Sequence, residues 1–303
     1  MKQATLIYNP VAGIEGDHRE ARVKRAAGAL NRAGIAVDFA ATTQPGEAES
    51  LARAAASNGC EMVVVYGGDG TLNEVVNGMA MSKTTLGILP GGTANIAARE
   101  LGLPFYPEAA ARALPRWTAR RIALGRATWR TEGGAAPGVR SRYFLNVAGI
   151  GFDAHVISSL RETFKRRFGV LAYVAEGVRQ ISAYSFPLFT CRAGAEEFSA
   201  SFAAVQRSGR YAGWFPLAPE TNLLKSQLTV CGFTSPNRWR YLVYACAVLL
   251  RLQGKLKDVK LVAASPVICE SESPISFELD GELVGRLPAS FELVPDALTV
   301  LAP

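Results

Sequence analysis

The sequence has few of the residues that bind transition metals or form disulfide bonds. Among its 303 residues are two histidines and five cysteines, and no two cysteines form a C-x-x-C pair. An odd number of scattered cysteines in a chain of this length argues against a disulfide framework and favours a reducing compartment. Structural zinc sites need four closely spaced His or Cys ligands, so we expect no zinc site.

Long apolar runs are also missing. The longest of note, residues 241–250, has ten uncharged residues and is bounded by Arg240 and Arg251. A transmembrane helix needs about 20 apolar residues, so this run is more typical of a core helix, or of the wall of an acyl-chain cleft. The N-terminal MKQATLIYNP lacks the apolar segment of a signal peptide. We therefore expect a cytoplasmic protein, peripheral at the membrane at most.

The positive charge is unevenly distributed. The formal net charge is +7, although residues 265–303 contain seven acidic residues and a single basic one. The remaining residues, 1–264, are therefore strongly basic, which suits anionic partners such as nucleotide phosphates and lipid head groups. A basic surface in contact with solvent alone explains this charge equally well. The same two interpretations apply to the cluster formed by Arg161, Lys165, Arg166 and Arg167. No interleaving of aromatic and basic residues indicates nucleic-acid binding, so no nucleic-acid partner is expected.

Strand and helix patterns alternate along residues 1–125. Apolar runs predict strands at 2–8, 35–40, 61–66 and 85–89. Helical spacing and end signals predict helices at 17–33, 47–58, 71–81 and 95–101. The third strand, EMVVVY, is almost wholly apolar, as in a parallel sheet covered on both faces. The alternation predicts an α/β domain with a parallel sheet over residues 1–125.

Short strands dominate the rest of the chain. Residues 126–142 are rich in Gly, Arg and small residues and predict a loop or hairpin tip. Strands are then expected at 143–147, 186–192, 197–206, 227–233, 257–264, 275–279, 290–293 and 298–301. Helices are expected at 158–180, broken near Gly169, and at 241–253. This pattern predicts a second domain, residues 126–303, built as a β-sandwich or barrel.

Three glycine-rich corners follow strands of the first domain. They are residues 9–13 (NPVAG), 67–71 (GGDGT) and 90–95 (PGGTAN). In an open parallel sheet, ligands bind outside the carboxyl ends of the strands, where glycines and helix N-termini suit phosphate groups. A single corner of this kind can serve chain geometry alone. Three corners at one edge predict a phosphate-binding site.

The second corner carries an acid, Asp69, between two glycines. A carboxylate repels phosphate unless a cation lies between them, which points to Mg²⁺ bound together with a nucleotide. The sequence has no P-loop motif, and a dinucleotide-binding fingerprint would need glycine at Asn73.

The motifs GGDGTLNEV at 67–75 and LPGGTAN at 89–95 resemble those of the diacylglycerol kinase catalytic-domain family. This family includes bacterial lipid kinases and eukaryotic sphingosine and ceramide kinases. Three further stretches match in the same order: Asn9-Pro10 with Gly13, NVAGIGFDA at 146–154, and FELDGE at 277–282 followed by GRLP at 285–288. The resemblance therefore extends over the whole chain.

The resemblance implies an ATP-dependent kinase of a lipid hydroxyl. Its first domain would resemble those of NAD kinase and phosphofructokinase, and its second would be a β-sandwich. The active site would lie in the cleft between these two domains, and the last strand would pack back on the first domain. Matched by motif, the nucleotide would be lined by Asn9, Thr42, Gly67, Gly68, Asp69, Gly70, Thr71, Leu72, Asn73, Gly92 and Thr93. Asp69 would also be the Mg²⁺ ligand. Glu282, which on sequence alone could be a solvated hairpin acid, would be the general base.

Two positions depart from the family pattern. Ala123 stands where many members carry an acid that helps to hold the catalytic metal. Lys225 stands where many bacterial members carry an acid that helps to bind a structural Mg²⁺. We expect the Lys225 ammonium to replace that ion, and we expect Ala123 to weaken metal binding unless another acid substitutes.

Two other functions remain open. An NAD kinase shares the GGDGT corner, although the LPGGTAN and DGE motifs favour a lipid kinase. Ala123 and Lys225 also suit a nucleotide-binding lipid sensor that has lost turnover. A two-fold homodimer is the default expectation for an oligomer. His18 and His155 have no visible partner and are expected to be structural or solvent-facing.

Overall fold

The computed structural model describes residues 2–10, 18–131, 138–159, 170–212 and 215–303. In chain order the strands and helices are β1 (Lys2–Tyr8), α1 (His18–Arg32), β2 (Ile35–Ala41), α2 (Glu47–Ser57), β3 (Met62–Gly67), α3 (Asp69–Met79), β4 (Thr85–Pro90), α4 (Ile96–Glu100), α5 (Pro107–Ala113), β5 (Thr118–Thr131), β6 (Gly138–Phe144), β7 (Val147–Gly151), α6 (Phe152–Ser159), α7 (Val170–Ala183), β8 (Phe189–Ala193), β9 (Glu196–Ala200), β10 (Phe202–Gln206), β11 (Thr229–Phe233), α8 (Arg240–Leu249), β12 (Val259–Ala263), β13 (Val267–Glu270), β14 (Ser276–Leu279), β15 (Glu282–Arg286) and β16 (Ala289–Ala302). Short 3₁₀ helices lie at Leu114–Arg116 and Gln253–Lys255.

The chain folds as two units. The first consists of Met1–Leu124 together with Pro295–Pro303, and the second of Gly125–Val294. Strands β5 and β16 each run from one unit into the other. The C-terminal residues therefore belong to the unit in which the chain begins.

The first unit contains a parallel sheet with the strand order β2-β1-β3-β4-β16. Every residue of β3 is buried, as a central strand covered on both faces requires. On α1, the buried residues Val23, Ala26, Ala27 and Leu30 recur at helical spacing and face the strands. The predicted α/β class with a parallel sheet is confirmed.

Two local features of the first unit differ from the expectation. Helix α3 begins at Asp69, two residues earlier than predicted, because Gly68 stands at the N-cap and its carbonyl accepts the Leu72 N–H at 3.0 Å. Helix α5 was not predicted, although Pro107 at its first turn is a usual start signal.

The second unit is an antiparallel β-sandwich, and this prediction is also confirmed. One sheet has the order β12-β11-β10-β7-β14-β15. The other contains β9, β8, β13 and β16, together with the β5–β6 hairpin. Buried side chains from both sheets, including Phe144, Phe277 and Phe291, form the core between them. On the outer face of the six-stranded sheet, α7 and α8 pack against Phe202 and Phe233.

Several predicted elements of the second unit are wrong in their bounds. Residues 126–142, expected to be a loop or a hairpin tip, belong to an antiparallel hairpin whose strands, β5 and β6, extend further than expected, with Ala127 and Trp129 buried in the core. Only its tip, 132–137, lies outside the described residues. The expected strand 143–147 is broken between β6 and β7, where backbone N–H groups bind the Asp280 carboxylate instead.

Other elements divide or merge. Residues 197–206 form two strands, β9 and β10, separated at Ser201, whose hydroxyl donates to the Ser235 carbonyl at 2.7 Å. The two strands expected at 290–293 and 298–301 are one strand, β16. The helix expected at 158–180 corresponds to α6 and α7, and residues 160–169 lie outside the described part. Strands β13 and β15 were not predicted.

Candidate active site

The predicted phosphate-binding residues of the first unit follow parallel strands at one edge of the sheet. Asn9 follows β1, Thr42 follows β2, Gly68 follows β3, and the PGGTAN corner follows β4. The Thr42 N–H donates to the Tyr8 carbonyl at 2.9 Å, which joins the ends of β2 and β1. In the order β2-β1-β3-β4, the chain continues from β1 to one side of the sheet and later, with β3, to the other side. Ligands of open α/β sheets bind at such a switch point between neighbouring strands, here β1 and β3.

Two glycine corners touch through their backbones. The Gly91 N–H donates to the Gly67 carbonyl at 2.9 Å. A Cβ built on Gly92 would lie 2.4 Å from the Gly68 Cα, a distance that no folded backbone tolerates. Asn95, in the left-handed conformation (φ 48°), closes its corner by accepting the Gly92 N–H and donating to the Gly92 carbonyl. Glycine at 92 is therefore required by this contact, whereas a Cβ on Gly68 would lie 3.2 Å from the Gly92 Cα, which is a tight contact.

We expect Gly92→Ala to weaken at least tenfold the ATP binding that the family resemblance implies, because the added methyl group pushes the two corners apart. Isothermal titration of a non-hydrolysable ATP analogue measures this. Gly28→Ala is the matched control, since its Cβ would meet only the Arg32 side chain at 3.6 Å inside a helix, where alanine is favoured. Equal affinities in the two variants would contradict the prediction.

Asp69 lies at the start of α3 and is partly exposed. Its Oδ1 accepts the Ile96 N–H at 2.7 Å, which ties the GGDGT corner to the first residue of α4. Gly70, Thr71 and the exposed Thr93 lie on the same two corners. The two corners thus place the Asp69 carboxylate beside the N-terminus of α3, which has 11 residues. The first N–H groups of such a helix have no partner within the helix.

Four of the predicted nucleotide residues are buried: Thr42, Gly67, Leu72 and Asn73. Leu72 is 4% exposed and Asn73 is 1% exposed, and Asn73 accepts hydrogen bonds from the Asn77 amide. Their positions on α3 follow from helical geometry, since successive residues rotate from the sheet edge toward the core. The surface of this corner is formed by residues 68–71.

Sequence reasoning missed Arg19, which ties together the ends of three strands. Its side chain is 1% exposed, with Nε donating to the Asn9 carbonyl at 2.6 Å and Nη1 to the Gly91 carbonyl at 3.0 Å. The guanidinium also lies 4.5 Å from the ring centroid of Tyr66, just before the GGDGT corner. No local pattern marks an arginine on an amphipathic helix for this role.

In the second unit, Glu282 follows a tight turn between β14 and β15. Asp280 (φ 50°) and Gly281 (φ 91°) both adopt positive φ, as a two-residue hairpin turn requires. The Glu282 carboxylate is 40% exposed and pairs with Arg142 Nη2 at 3.1 Å. Arg142, on β6, is a second residue that sequence reasoning missed, because 140 positions separate it from Glu282.

A buried pair of carboxyl groups lies beside this turn. Asp153 and Glu278 are 2% and 1% exposed, and a carboxyl oxygen of each lies against Gly149. Burial raises the pKa of each carboxyl group above its ordinary value. Gly149 makes room for the pair, since a Cβ there would lie 1.9 Å from Asp153 Oδ2. This contact explains the central glycine of the NVAGIGFDA motif.

An apolar pocket of about 210 Å³ lies on the outer face of the six-stranded sheet. Side chains of α7, α8 and the sheet line it, including Ile181, Phe202, Phe233 and Val248. Residues 241–250 were expected to form a core helix or the wall of an acyl-chain cleft. Five of them, Tyr241, Tyr244, Ala245, Val248 and Leu249, line this pocket. Tyr173 and Tyr211 line the pocket too, and their hydroxyl groups are hydrogen-bonded to each other. The Tyr173 hydroxyl donates to Asp153 Oδ1 at 2.5 Å.

The loop that contains Lys225 is held by a different cation from the one expected. The buried Arg207 donates from Nη1 to the carbonyls of Lys225 and Gln227, at 2.7 and 2.6 Å, and from Nη2 to that of Leu223, at 3.0 Å. The Lys225 ammonium instead donates to the Glu220 carbonyl at 2.9 Å from an exposed side chain. The Lys225 ammonium was expected to replace a structural Mg²⁺, but the cation that binds these loop carbonyls is the guanidinium of Arg207.

Ala123 is buried in β5, with 2% of its surface exposed. His155, expected to lack a partner, has its Nε2 2.9 Å from Gln180 Oε1 and packs against Tyr184. Phe215 lines the apolar pocket. Three other predicted features lie outside the described residues: Gly13, the basic cluster 161–167 and the side chain of His18.

The residues that the structure describes contain no group of three or more His, Cys, Asp or Glu side chains placed to hold a metal ion. No helix within them has the length and apolar character needed to cross a membrane.

Comparison with known proteins gives matches over both units. A family model described as diacylglycerol kinase catalytic domain matches residues 3–127, and one described as YegS C-terminal NAD kinase beta sandwich-like domain matches 146–302. The chain is 29% identical over 299 residues to a diacylglycerol kinase of Bacillus subtilis strain 168, covering 96% of this chain and 93% of that protein. It is 30% identical over 307 residues to a Pseudomonas aeruginosa protein named "Probable lipid kinase YegS-like", covering 100% of this chain and 94% of the relative.

A solved structure shares the fold. The crystal structure of a diacylglycerol kinase from Bacillus anthracis str. Sterne matches with a TM-score of 0.73 at 22% identity, covering 100% of this chain and 97% of the other. The α/β unit and the β-sandwich unit therefore occur together in that protein as well.

Proposed function

The chain belongs to the diacylglycerol kinase catalytic-domain family of lipid kinases, and on that premise we propose that it transfers the γ-phosphate of Mg·ATP to the hydroxyl group of a lipid. The observation that carries the proposal is the contact between the GGDGT and PGGTAN corners at the carboxyl edge of the parallel sheet. Glu282 is the proposed general base, and Asp69 the proposed ligand of the metal.

The first unit suits a nucleotide phosphate chain. Gly68 and Gly92 have no side chains, so a phosphate group can approach their backbone closely. The N-terminus of α3 directs its N–H groups to the same carboxyl edge of the sheet. Mg²⁺ usually binds to one or two carboxylates together with substrate phosphates and water, and Asp69 supplies one carboxylate at this place. The residues present therefore fit Mg²⁺, which when bound would neutralise phosphate charge. Asn9, Thr42, Thr71 and Thr93 are the remaining proposed polar contacts.

The second unit suits an acyl chain and its hydroxyl-bearing head. The apolar pocket offers aliphatic and aromatic side chains with few polar atoms, as lipid chains require. The Tyr173 hydroxyl in this pocket donates to Asp153, which is buried beside Glu278, and Glu278 accepts the Gly281 N–H in the turn that precedes Glu282. These contacts link the pocket to the turn of the proposed base within one unit.

Phosphoryl transfer depends mainly on positioning and on neutralising charge. The lipid oxygen forms a bond to the γ-phosphorus as the bond from that phosphorus to the β–γ bridging oxygen breaks, and ADP leaves. Glu282 accepts the hydroxyl proton, and its partly exposed carboxylate can release that proton to water. Arg142 holds the carboxylate in place at 3.1 Å.

The decisive experiment incubates the protein with labelled ATP, Mg²⁺ and mixed micelles of dioleoylglycerol, monooleoylglycerol, sphingosine or phosphatidylglycerol. We expect label in one lipid, and at least a hundredfold less with Asp69→Asn, whose amide oxygen can still accept the Ile96 N–H and preserve the fold. Asp38→Asn, which changes an exposed carboxylate of the same unit, should retain full activity.

Ala245→Trp should raise the KM for the lipid and leave the KM for ATP unchanged, because Ala245 lines the apolar pocket. Leu242→Trp on the same helix should change neither KM.

Two alternatives make different predictions in this assay. If the protein were an NAD kinase, NAD added as a further acceptor would be the only one to become labelled. The description of the family model for the second domain also contains the words NAD kinase. ATP binding without label in any acceptor would favour the lipid sensor suggested by Ala123. The membrane surface, the cytoplasmic location, the cleft between the domains and a homodimer remain predictions.

A further inference from the structure

We propose that Asp280 is the positioning residue of the proposed catalytic carboxylate: its buried side chain binds the backbone of residues 145–147 and so fixes Glu282 beside Arg142. This inference rests on the proposed function, in which Glu282 is the base. Asp280 belongs to a hairpin turn, where acidic side chains are usually solvated, yet it is only 9% exposed. Its orientation toward the interior is the observation to be explained.

The Asp280 carboxylate is bound on both oxygens. Oδ2 accepts the Leu145 N–H at 2.7 Å, and Oδ1 accepts those of Asn146 and Val147 at 2.8 and 2.9 Å. The Asp280 N–H donates in return to the Val147 carbonyl at 2.9 Å. Three N–H donors stabilise a buried carboxylate strongly, since hydrogen bonds to a charged group are about twice as strong as neutral ones. The turn is thus joined to the β6–β7 junction by four hydrogen bonds.

These bonds fix the distance between Glu282 and its arginine. Arg142 lies on β6 three residues before the bound segment, and Glu282 lies two residues after Asp280. One carboxylate therefore connects the strand that carries the arginine with the turn that carries the base. Without this connection, the Arg142–Glu282 pair would depend on two partly exposed side chains, and such pairs contribute little by themselves.

A second bond holds the other side of the turn. Glu278 Oε2 accepts the Gly281 N–H at 2.6 Å, and Glu278 is itself 1% exposed. The backbone on which Glu282 stands is therefore hydrogen-bonded at residues 280 and 281. General acid–base catalysis needs this rigidity, because displacement of a reacting group by about 1 Å can cost about a hundredfold in rate.

The test is a double-mutant cycle assayed with the lipid that the panel identifies. Asp280→Asn keeps the size and the positive φ but turns one acceptor oxygen into an NH₂ group that faces N–H donors. We expect it to lower kcat ten- to a hundredfold with unchanged KM for ATP, and to add almost nothing to Glu282→Gln. Asp280→Glu, which keeps the charge and lengthens the side chain, should also lower kcat. Glu292→Gln, which loses only a pair with Arg126 in the same unit, should leave kcat unchanged.

The outcomes separate the inference from the function on which it rests. Full additivity of Asp280→Asn and Glu282→Gln, or normal kcat in Asp280→Asn, overturns the positioning role alone. Normal kcat in Glu282→Gln overturns the assignment of the base, and the inference with it. Amide hydrogen exchange of the wild type gives a result even where a variant does not fold. Slow exchange at residues 145–147 supports the bonds to Asp280, and exchange as fast as in exposed loops excludes them.

Discussion

Replacing the proposed base, Glu282→Gln, should lower kcat by about 10²–10⁴-fold while leaving the KM for ATP unchanged. The amide has the shape of the carboxylate and can still accept a hydrogen bond from Arg142, but it cannot take a proton from the lipid hydroxyl. ATP binding depends in our proposal on the first unit alone, so it should not change. Steady-state kinetics with the accepted lipid, together with ATP titration, measure both quantities.

The matched control for this experiment is Glu270→Gln. Glu270 also lies on a strand of the second unit and pairs with an arginine, Arg192, at 2.8 Å, with similar exposure. It takes no part in the proposed chemistry, so its kcat should equal that of the wild type. Equal losses in the two variants would mean that an arginine–carboxylate pair is needed for folding, and that Glu282 has no special role.

The second large effect concerns stability. Arg207→Met should lower the free energy of unfolding by about 3–5 kcal/mol, because it leaves three loop carbonyls without their buried donor. Burial lowers the pKa of Arg207 to about 10, so the side chain is still protonated at neutral pH and donates to the carbonyls of Leu223, Lys225 and Gln227. Urea unfolding followed by circular dichroism measures the loss.

Lys225→Met is the control for this stability measurement. It removes a cation from the same loop, but this cation is exposed and donates to a single carbonyl. The expected loss in the free energy of unfolding is therefore within about 0.5 kcal/mol. If Lys225→Met were the more damaging of the two, the original expectation for Lys225 would be reinstated.

Local sequence patterns predicted most of the first unit. Apolar strands and helices with one apolar face alternate there, and residues close in sequence decide both periodicities. Strand β1 was predicted with its observed bounds, and β3 differs by one residue at each end. The glycine corners were found for the same reason, since strand-to-helix turns at the carboxyl edge follow from the order of elements.

The second unit was predicted less well because its strands depend on partners far away in the chain. The arginine-rich residues 126–131 and 138–142 have little strand character, yet they pair with each other and place Trp129 in the core. The break between β6 and β7 is decided by Asp280, more than 130 positions later. Strand propensity cannot anticipate such effects, since it mostly reflects packing against neighbouring strands.

The sequence by itself determined most strands and helices of the first unit, the glycine corners and Asp69 as a candidate site residue, and the family resemblance of its motifs added Glu282. Only the tertiary structure decided which side chains support them: Arg19 at the sheet edge, Arg142 and Asp280 around Glu282, and Arg207 inside its loop. The physical reason is that periodicity and turn chemistry act over a few residues. A buried charge finds its hydrogen-bond partners only where the folded chain brings distant backbone together.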